Sequence, residues 1–280
     1  MISNLLLIFF FVLIHILPVS AQQSGEVLVW AELISESKEI APNDSFYIAV
    51  KLEIKDEWHT YWENPGDGGL KTTFAWTLPA GFSISEPMNS YPKRFKVDDM
   101  INFGYDVETS YLFLVKTSNF NDFEKSFYIK TELTWLACKE ECIPGTSLAE
   151  ITLFPTNDPA EIIKENPEYF KMVERTIPTT GLKTEVTAEL NNEQIIFIIK
   201  DPGKSKKQTQ IEFFPVEQGI FSYSTEQKLE INENNYSLTV SLDPMRGEIP
   251  DKINAVFYSP EGWDENGDYK AIHRKIKIKK

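Results

Sequence analysis

Phe127-Tyr128-Ile129-Lys130-Thr131-Glu132-Leu133-Thr134-Trp135-Leu136-Ala137-Cys138-Lys139-Glu140-Glu141-Cys142-Ile143-Pro144-Gly145 decides how this chain is read. Phe127, Ile129, Thr131, Leu133, Trp135 and Ala137 alternate with Tyr128, Lys130, Glu132, Thr134 and Leu136, the period of a strand with one buried face. The run ends at Cys138 and Cys142, the only cysteines in the chain. Ile143-Pro144-Gly145 then brings a residue without an N–H and one free to take positive φ, which predicts a break in the strand there. The cysteines are thus expected where a strand gives way to a turn, within reach of a partner.

Working outward, the same alternation recurs. Ser45–Lys55 sets Phe46, Ile48, Val50, Leu52 and Ile54 against Tyr47, Ala49, Lys51, Glu53 and Lys55, a half-buried antiparallel strand. Further strands are predicted at Val27–Ile34, Thr72–Thr77, Tyr111–Thr117, Lys125–Ala137 and Leu148–Phe154. Many short strands separated by turn signals indicate a β-sandwich. Trp58-His59-Thr60-Tyr61-Trp62-Glu63-Asn64-Pro65-Gly66-Asp67-Gly68-Gly69 crowds aromatics against a glycine-rich turn. The aromatics beside flexible glycines point either to core filling, the expectation for Trp58 and Trp62, or to a cover over the cysteine pair, with Asp67 bonding backbone amides within the turn.

Residues 157–181 read as a helical connector and linker. Asp158-Pro159 and Asn166-Pro167 are two cap-plus-proline signals, predicting two short helices. From Leu182 the strand pattern resumes at Ile195–Ile199, Ile211–Phe214, Tyr236–Leu242, Asn254–Tyr258 and Ala271–Lys279, a second β-rich domain over 182–280. The lysines alternating with Ile276 and Ile278 suggest a protected edge strand at the end of the chain.

The amino terminus reads as a signal peptide over 1–21. Leu5–Leu17 is almost wholly apolar, Pro18 breaks it, and Val19-Ser20-Ala21 offers small residues for cleavage, although no Lys or Arg precedes the run. The mature chain is then periplasmic or secreted, with no membrane insertion after cleavage. A net charge of −14 argues against nucleic acid and anionic membrane surfaces. In an oxidising compartment an even cysteine pair is read first as a disulfide. A loop of about five residues stabilises by only roughly 2 kcal/mol, so such a bridge is a weak staple. Glu140 and Glu141 raise a neighbouring thiol and only Lys139 opposes them.

His59 is a candidate base or metal ligand, but the reading preferred is a histidine packed among Trp58, Tyr61 and Trp62. Cys138 and Cys142 with His59 or Met100 form a donor set suited to copper(I), though two cysteines alone fall short of a closed site. Asp67, Asp98, Asp99 and Asp106 read as turn and surface groups. No Ser-His-Asp arrangement, phosphate loop or carboxylate pair stands out.

The region 22–156 resembles the amino-terminal periplasmic domain of the DsbD and ScsB family of thiol:disulfide interchange proteins. The likeness rests on Trp58–Asp67 with Gly69, Trp76, Leu78-Pro79-Ala80-Gly81-Phe82, Tyr91-Pro92-Lys93-Arg94, Phe103-Gly104-Tyr105 and Trp135–Gly145. Tyr91 and Phe103 stand where the family more often has Trp and Tyr. The resemblance implies an all-β chain whose first domain is an immunoglobulin-like β-sandwich, with Cys138 and Cys142 as the catalytic redox pair and no cofactor. It implies a membrane-embedded thiol:disulfide electron donor and oxidised periplasmic thioredoxin-like proteins as partners, with cytochrome c biogenesis among the processes served. The family's membrane-spanning carrier and thioredoxin-like domain have no counterpart in this sequence, so a separate membrane partner is expected. The competing readings are a non-enzymatic interaction module with a structural disulfide, and copper(I) handling.

Overall fold

The computed structural model describes residues 27–200, 203 and 207–280. The signal-peptide expectation at 1–21 lies outside the described residues. Among those described, no helix is long and apolar enough to cross a membrane.

The first half is an immunoglobulin-like sandwich. One sheet runs Val29–Ser35, Ser45–Ile54, Glu108–Lys116 and Ser83–Ile84, with Met88–Asn89 also on Glu108–Lys116. The facing sheet runs Glu39–Ile40, Cys142–Pro155, Phe127–Cys138 and Thr73–Thr77. Alternation does the work foreseen. Phe46, Ile48, Val50, Leu52 and Ile54 are all buried, and so are Ile129, Thr131, Leu133, Trp135 and Ala137 across the core. Phe74 and Trp76 meet Phe113 edge-on at 5.1 and 4.9 Å, stitching the two sheets together.

The outer face of Ser45–Ile54 departs from the expected half-buried pattern. Ala49 is buried there, with Leu112, beneath Phe170 and Val173 of the helix Pro167–Thr176. The connector holds this one α-helix, not two. Asp158 caps a single 3₁₀ turn, Pro159–Glu161, by accepting from the Ala160 N–H at 2.9 Å. Asn166 precedes the α-helix in a left-handed conformation and makes no side-chain cap bond. Proline fixed both starts, but only the second segment has an apolar stripe to bury.

Three strands lay hidden in what reads as loop. Thr60–Gly66, Met100–Tyr105 and Lys93–Val97 form a separate three-stranded sheet at one end of the sandwich. The stretch Trp58–Gly69 is therefore half strand. Likewise Cys142–Pro155 begins at the second cysteine, so Ile143-Pro144-Gly145 sits inside a strand and does not break one. Gly145 is tolerated there because a Cβ would press on the Trp135 ring at about 2.7 Å.

Beyond residue 182 a seven-stranded sheet runs Glu212–Pro215, Lys252–Tyr258, Ala271–Lys279, Val186–Asn191, Gln194–Lys200, Asn235–Ser241 and Lys228–Ile231. Phe197 stacks on Phe213 at 4.7 Å although their strands are far apart in that order, so the sheet curls over its own core. Ile276 and Ile278 are buried as the alternation requires. The last strand is not an edge, however: it pairs with Lys252–Tyr258 on one side and with Ala188 and Glu189 on the other. Its lysines are the solvent face of an interior strand.

The motif Trp58–Gly69 joins the halves. Trp62 is 1 % exposed and meets Phe214 edge-on at 6.3 Å. Asn64 donates to the carbonyls of Pro215 and Glu217 at 2.7 and 3.4 Å and to the Tyr223 hydroxyl at 3.1 Å. Arg94 lies over the rings of Phe103 and Phe214 and donates to the Tyr223 carbonyl at 2.9 Å.

Candidate functional site: a disulfide at a hairpin tip

Cys138 ends one strand, Cys142 opens the next, and the two are directly paired across the hairpin. The turn between them, Lys139-Glu140-Glu141, is closed by the Lys139 N–H donating to the Glu141 carbonyl at 3.1 Å. The sulfurs are bonded at 2.03 Å. Alternation places Cys138 on the face away from the core, opposite Ala137. It is nevertheless only 3 % exposed, whereas Cys142 is exposed.

The cover over Cys138 comes from the small sheet. His59 faces Cys138, and their backbones exchange both hydrogen bonds, at 3.0 and 2.9 Å. The His59 ring stacks on Phe95 and meets Tyr61 edge-on, each at 5.2 Å. The Tyr61 hydroxyl reaches to 3.9 Å from the Cys142 sulfur. Burial pushes the His59 imidazole below its ordinary value, with Asp106 opposing, and pushes the Tyr61 phenol up. Asp106 is itself paired with Lys93 at 2.5 Å. At the turn, Lys139 pairs with Glu57 at 2.8 Å, and that bond holds the Glu57 carboxyl below the usual range.

The glycine-rich turn reaches the bridge through one ring. Gly69 has φ +106, and a Cβ there would run into the Tyr61 ring that reaches Cys142. Gly68 has no such neighbour, its nearest contact being Met100 Sδ at 3.7 Å. Asp67 accepts from one amide, Ile101, at 2.7 Å. Met100 is exposed beside Gly68 while His59 is packed between aromatics. No group of three or more His, Cys, Asp or Glu side chains is placed to hold a metal ion among the described residues. Trp58 is only partly buried against the core, unlike Trp62. The sequence pointed to Cys138, Cys142 and His59. It also named Tyr61 as a packing neighbour of His59, which the edge-on contact bears out; it missed Phe95, for which it carried no signal, and the reach of Tyr61 to the Cys142 sulfur.

The site is thus an immunoglobulin-like sandwich that presents a disulfide between one buried and one exposed cysteine. Residues 31–153 match the family described as thiol:disulfide interchange protein DsbD, N-terminal, and this part of the chain is a domain of that family. The chain is similar in structure to the N-terminal periplasmic domain of ScsB from Proteus mirabilis. The TM-score is 0.62 at 18 % identity, over 88 % of this chain and 92 % of that one. At such identity the likeness speaks for the fold. The major pilin subunit BcpA of Bacillus cereus (10 % identity, 90 % of this chain and 67 % of that one) reaches a TM-score of only 0.29 and carries no weight. A comparison with curated proteins gives no match.

Proposed function

We propose that this protein is an extracytoplasmic thiol:disulfide exchange module whose Cys138–Cys142 bridge relays electrons from a membrane-embedded dithiol donor to oxidised periplasmic thioredoxin-like proteins. The observation that carries this reading is the asymmetry of the bridge, one sulfur exposed at a hairpin tip and the other covered. A structural staple gains nothing from an open sulfur. An exchange module needs one, because the attacking thiolate must approach in line with the bond it breaks.

The asymmetry also orders the steps. The donor's thiolate attacks Cys142, forming a mixed disulfide, and the electron pair of the old bond leaves on Cys138. A second donor thiolate then attacks the donor sulfur of the mixed disulfide and releases Cys142, leaving the donor oxidised and the pair reduced. With a substrate the chemistry runs in reverse: Cys142 attacks the substrate disulfide, and Cys138 then attacks Cys142 to expel the reduced substrate. The signal segment at 1–21 would deliver the chain to the periplasm. Residues 182–280 would brace the redox domain at 22–156 through Asn64, Trp62 and Arg94.

Alkylation of the folded protein with and without a mild dithiol, read by mass, tests this. Reduction in the folded state is expected, with Cys142 labelled before Cys138. A bridge that opens only when the protein unfolds returns Cys138 and Cys142 to the role of staple.

A further inference from the structure

The exchange sequence leaves one charge unaccounted for. When Cys142 is attacked, the electron pair departs on Cys138, a sulfur that is 3 % exposed. A thiolate in such a place is poorly solvated, and burial raises the proton affinity of a thiol. Some group must hold the proton that makes this step and its reverse accessible near neutral pH.

His59 occupies the position for it. Residues that exchange both backbone hydrogen bonds across an antiparallel pair point their side chains to the same face, with Cβ atoms about 5.5 Å apart or less. His59 and Cys138 are such a pair. Contacts confirm the face independently: Tyr61, two residues along, touches the His59 ring and reaches the Cys142 sulfur. His59 is 7 % exposed, and its Nε2 is buried without a hydrogen-bond partner. A buried ring nitrogen left unpaired is costly, and a closed bridge has no proton to offer it. The opened bridge does.

The other charged and titratable groups around the ring are committed elsewhere. Asp106, which acts on His59 through space, is tied to Lys93. Lys139, next to Cys138, is held at the surface by Glu57. Phe95 covers the ring without a polar atom, and the Tyr61 hydroxyl is at the other sulfur.

We propose that His59 is the proton partner of Cys138, accepting the proton of the Cys138 thiol when that sulfur attacks and sharing it with the thiolate when the bridge is opened. This rests on the exchange function above. In the opening step, a thiol RSH ionises, its sulfur bonds to Cys142, and the Cys142–Cys138 bond breaks with its electron pair on Cys138. The proton released by RSH is taken up between Cys138 and His59. In the closing step His59 removes that proton, Cys138 bonds to Cys142, and RS⁻ leaves with the electron pair and collects the proton. Atoms, charge and electrons balance in both directions.

Stopped-flow mixing of the reduced protein with a chromogenic aromatic disulfide separates the two sulfurs. One aryl thiolate is released as Cys142 is captured, and a second as Cys138 closes the bridge. His59→Gln and His59→Phe are expected to slow the second phase about a hundredfold near neutral pH and to move its pH midpoint upward. The first phase should stay within about twofold, since general-base help is not invoked there. A second phase with an unmoved pH midpoint, or two phases slowed alike, overturns the proposal and leaves the exchange function standing. A bridge that cannot be reduced in the folded protein overturns both. Should the variants fail to fold, the imidazole resonances of the unaltered protein decide: the His59 titration midpoint is expected to differ between the reduced and the bridged protein, because only the opened bridge offers the imidazole a proton. Equal midpoints overturn the proposal.

Discussion

The two halves of this protein use the same strand physics to opposite ends. The half beyond residue 182 puts its strands into one curled sheet, and its alternating residues close a dense aromatic core around Phe197, Phe213, Phe221 and Phe257. The half before residue 156 divides its strands among three smaller sheets. The third of these folds His59, Tyr61 and Phe95 over the disulfide while its other face sends Trp62, Asn64 and Phe103 into the second half. A small sheet with two committed faces cannot pack itself as a sandwich does. The comparison teaches that the second half supplies part of the first half's core, and that the site stands on a shared interface.

That comparison can be broken most forcefully at Trp62. Trp62→Ala empties a fully buried position against Phe214 and should cost about 3–5 kcal/mol. Because the cavity lies between the halves, calorimetry should show one transition shifted as a whole. Two separated transitions would mean that the halves are independent. Asn64→Ala removes three hydrogen bonds to the second half and should cost about 1–3 kcal/mol. Denaturant unfolding measures it, and a loss below about 0.5 kcal/mol would demote the contact to filler.

The bridge should matter less to stability than either. Cys138→Ser with Cys142→Ser should leave a cooperatively folding protein destabilised by about 2 kcal/mol or less. Loss of the transition would show that the hairpin tip holds the first half together.

Acid titration sharpens the comparison with one histidine in each half. Burial depresses both His59 and His273, the latter helped by Arg274. The unfolded chain therefore takes up these protons first as pH falls through about 6.5, and stability present above that value is lost below it. Glu63, whose carboxyl burial pushes up, works in the opposite direction in acid. Melting temperatures from pH 8 down to pH 5 should consequently fall less steeply in the His59→Gln, His273→Gln double variant than in the unaltered protein. Parallel curves would refute the burial argument. The smallest effect is reserved for Gly68→Ala, which meets no close neighbour and should alter stability by no more than about 0.5 kcal/mol, with bridge-reduction kinetics unchanged. Gly69→Ala, which displaces the Tyr61 ring from Cys142, should change those kinetics.

By itself the sequence determined the sandwich and the cysteine pair. Alternation over Ser45–Ile54 and Phe127–Cys138 depends only on whether successive side chains meet core or water, and a period of two is legible without tertiary knowledge. The aromatic and glycine blocks identified the family for the same local reason. What the tertiary structure alone decided lies where residues distant in the chain meet. Met100–Tyr105 shows no clean period because both of its faces are covered from Asn102 to Tyr105, and Lys93–Val97 shows none because no residue of it is fully buried. The lysine-bearing Ala271–Lys279 looks like an edge until Val186–Asn191 pairs with it across some ninety residues of chain. Cys138 and Cys142 are equivalent in sequence. One became buried and the other stayed exposed only when His59, Phe95 and Tyr61 were brought down on one side of the hairpin, and burial of a sulfur is a property of its neighbours in space.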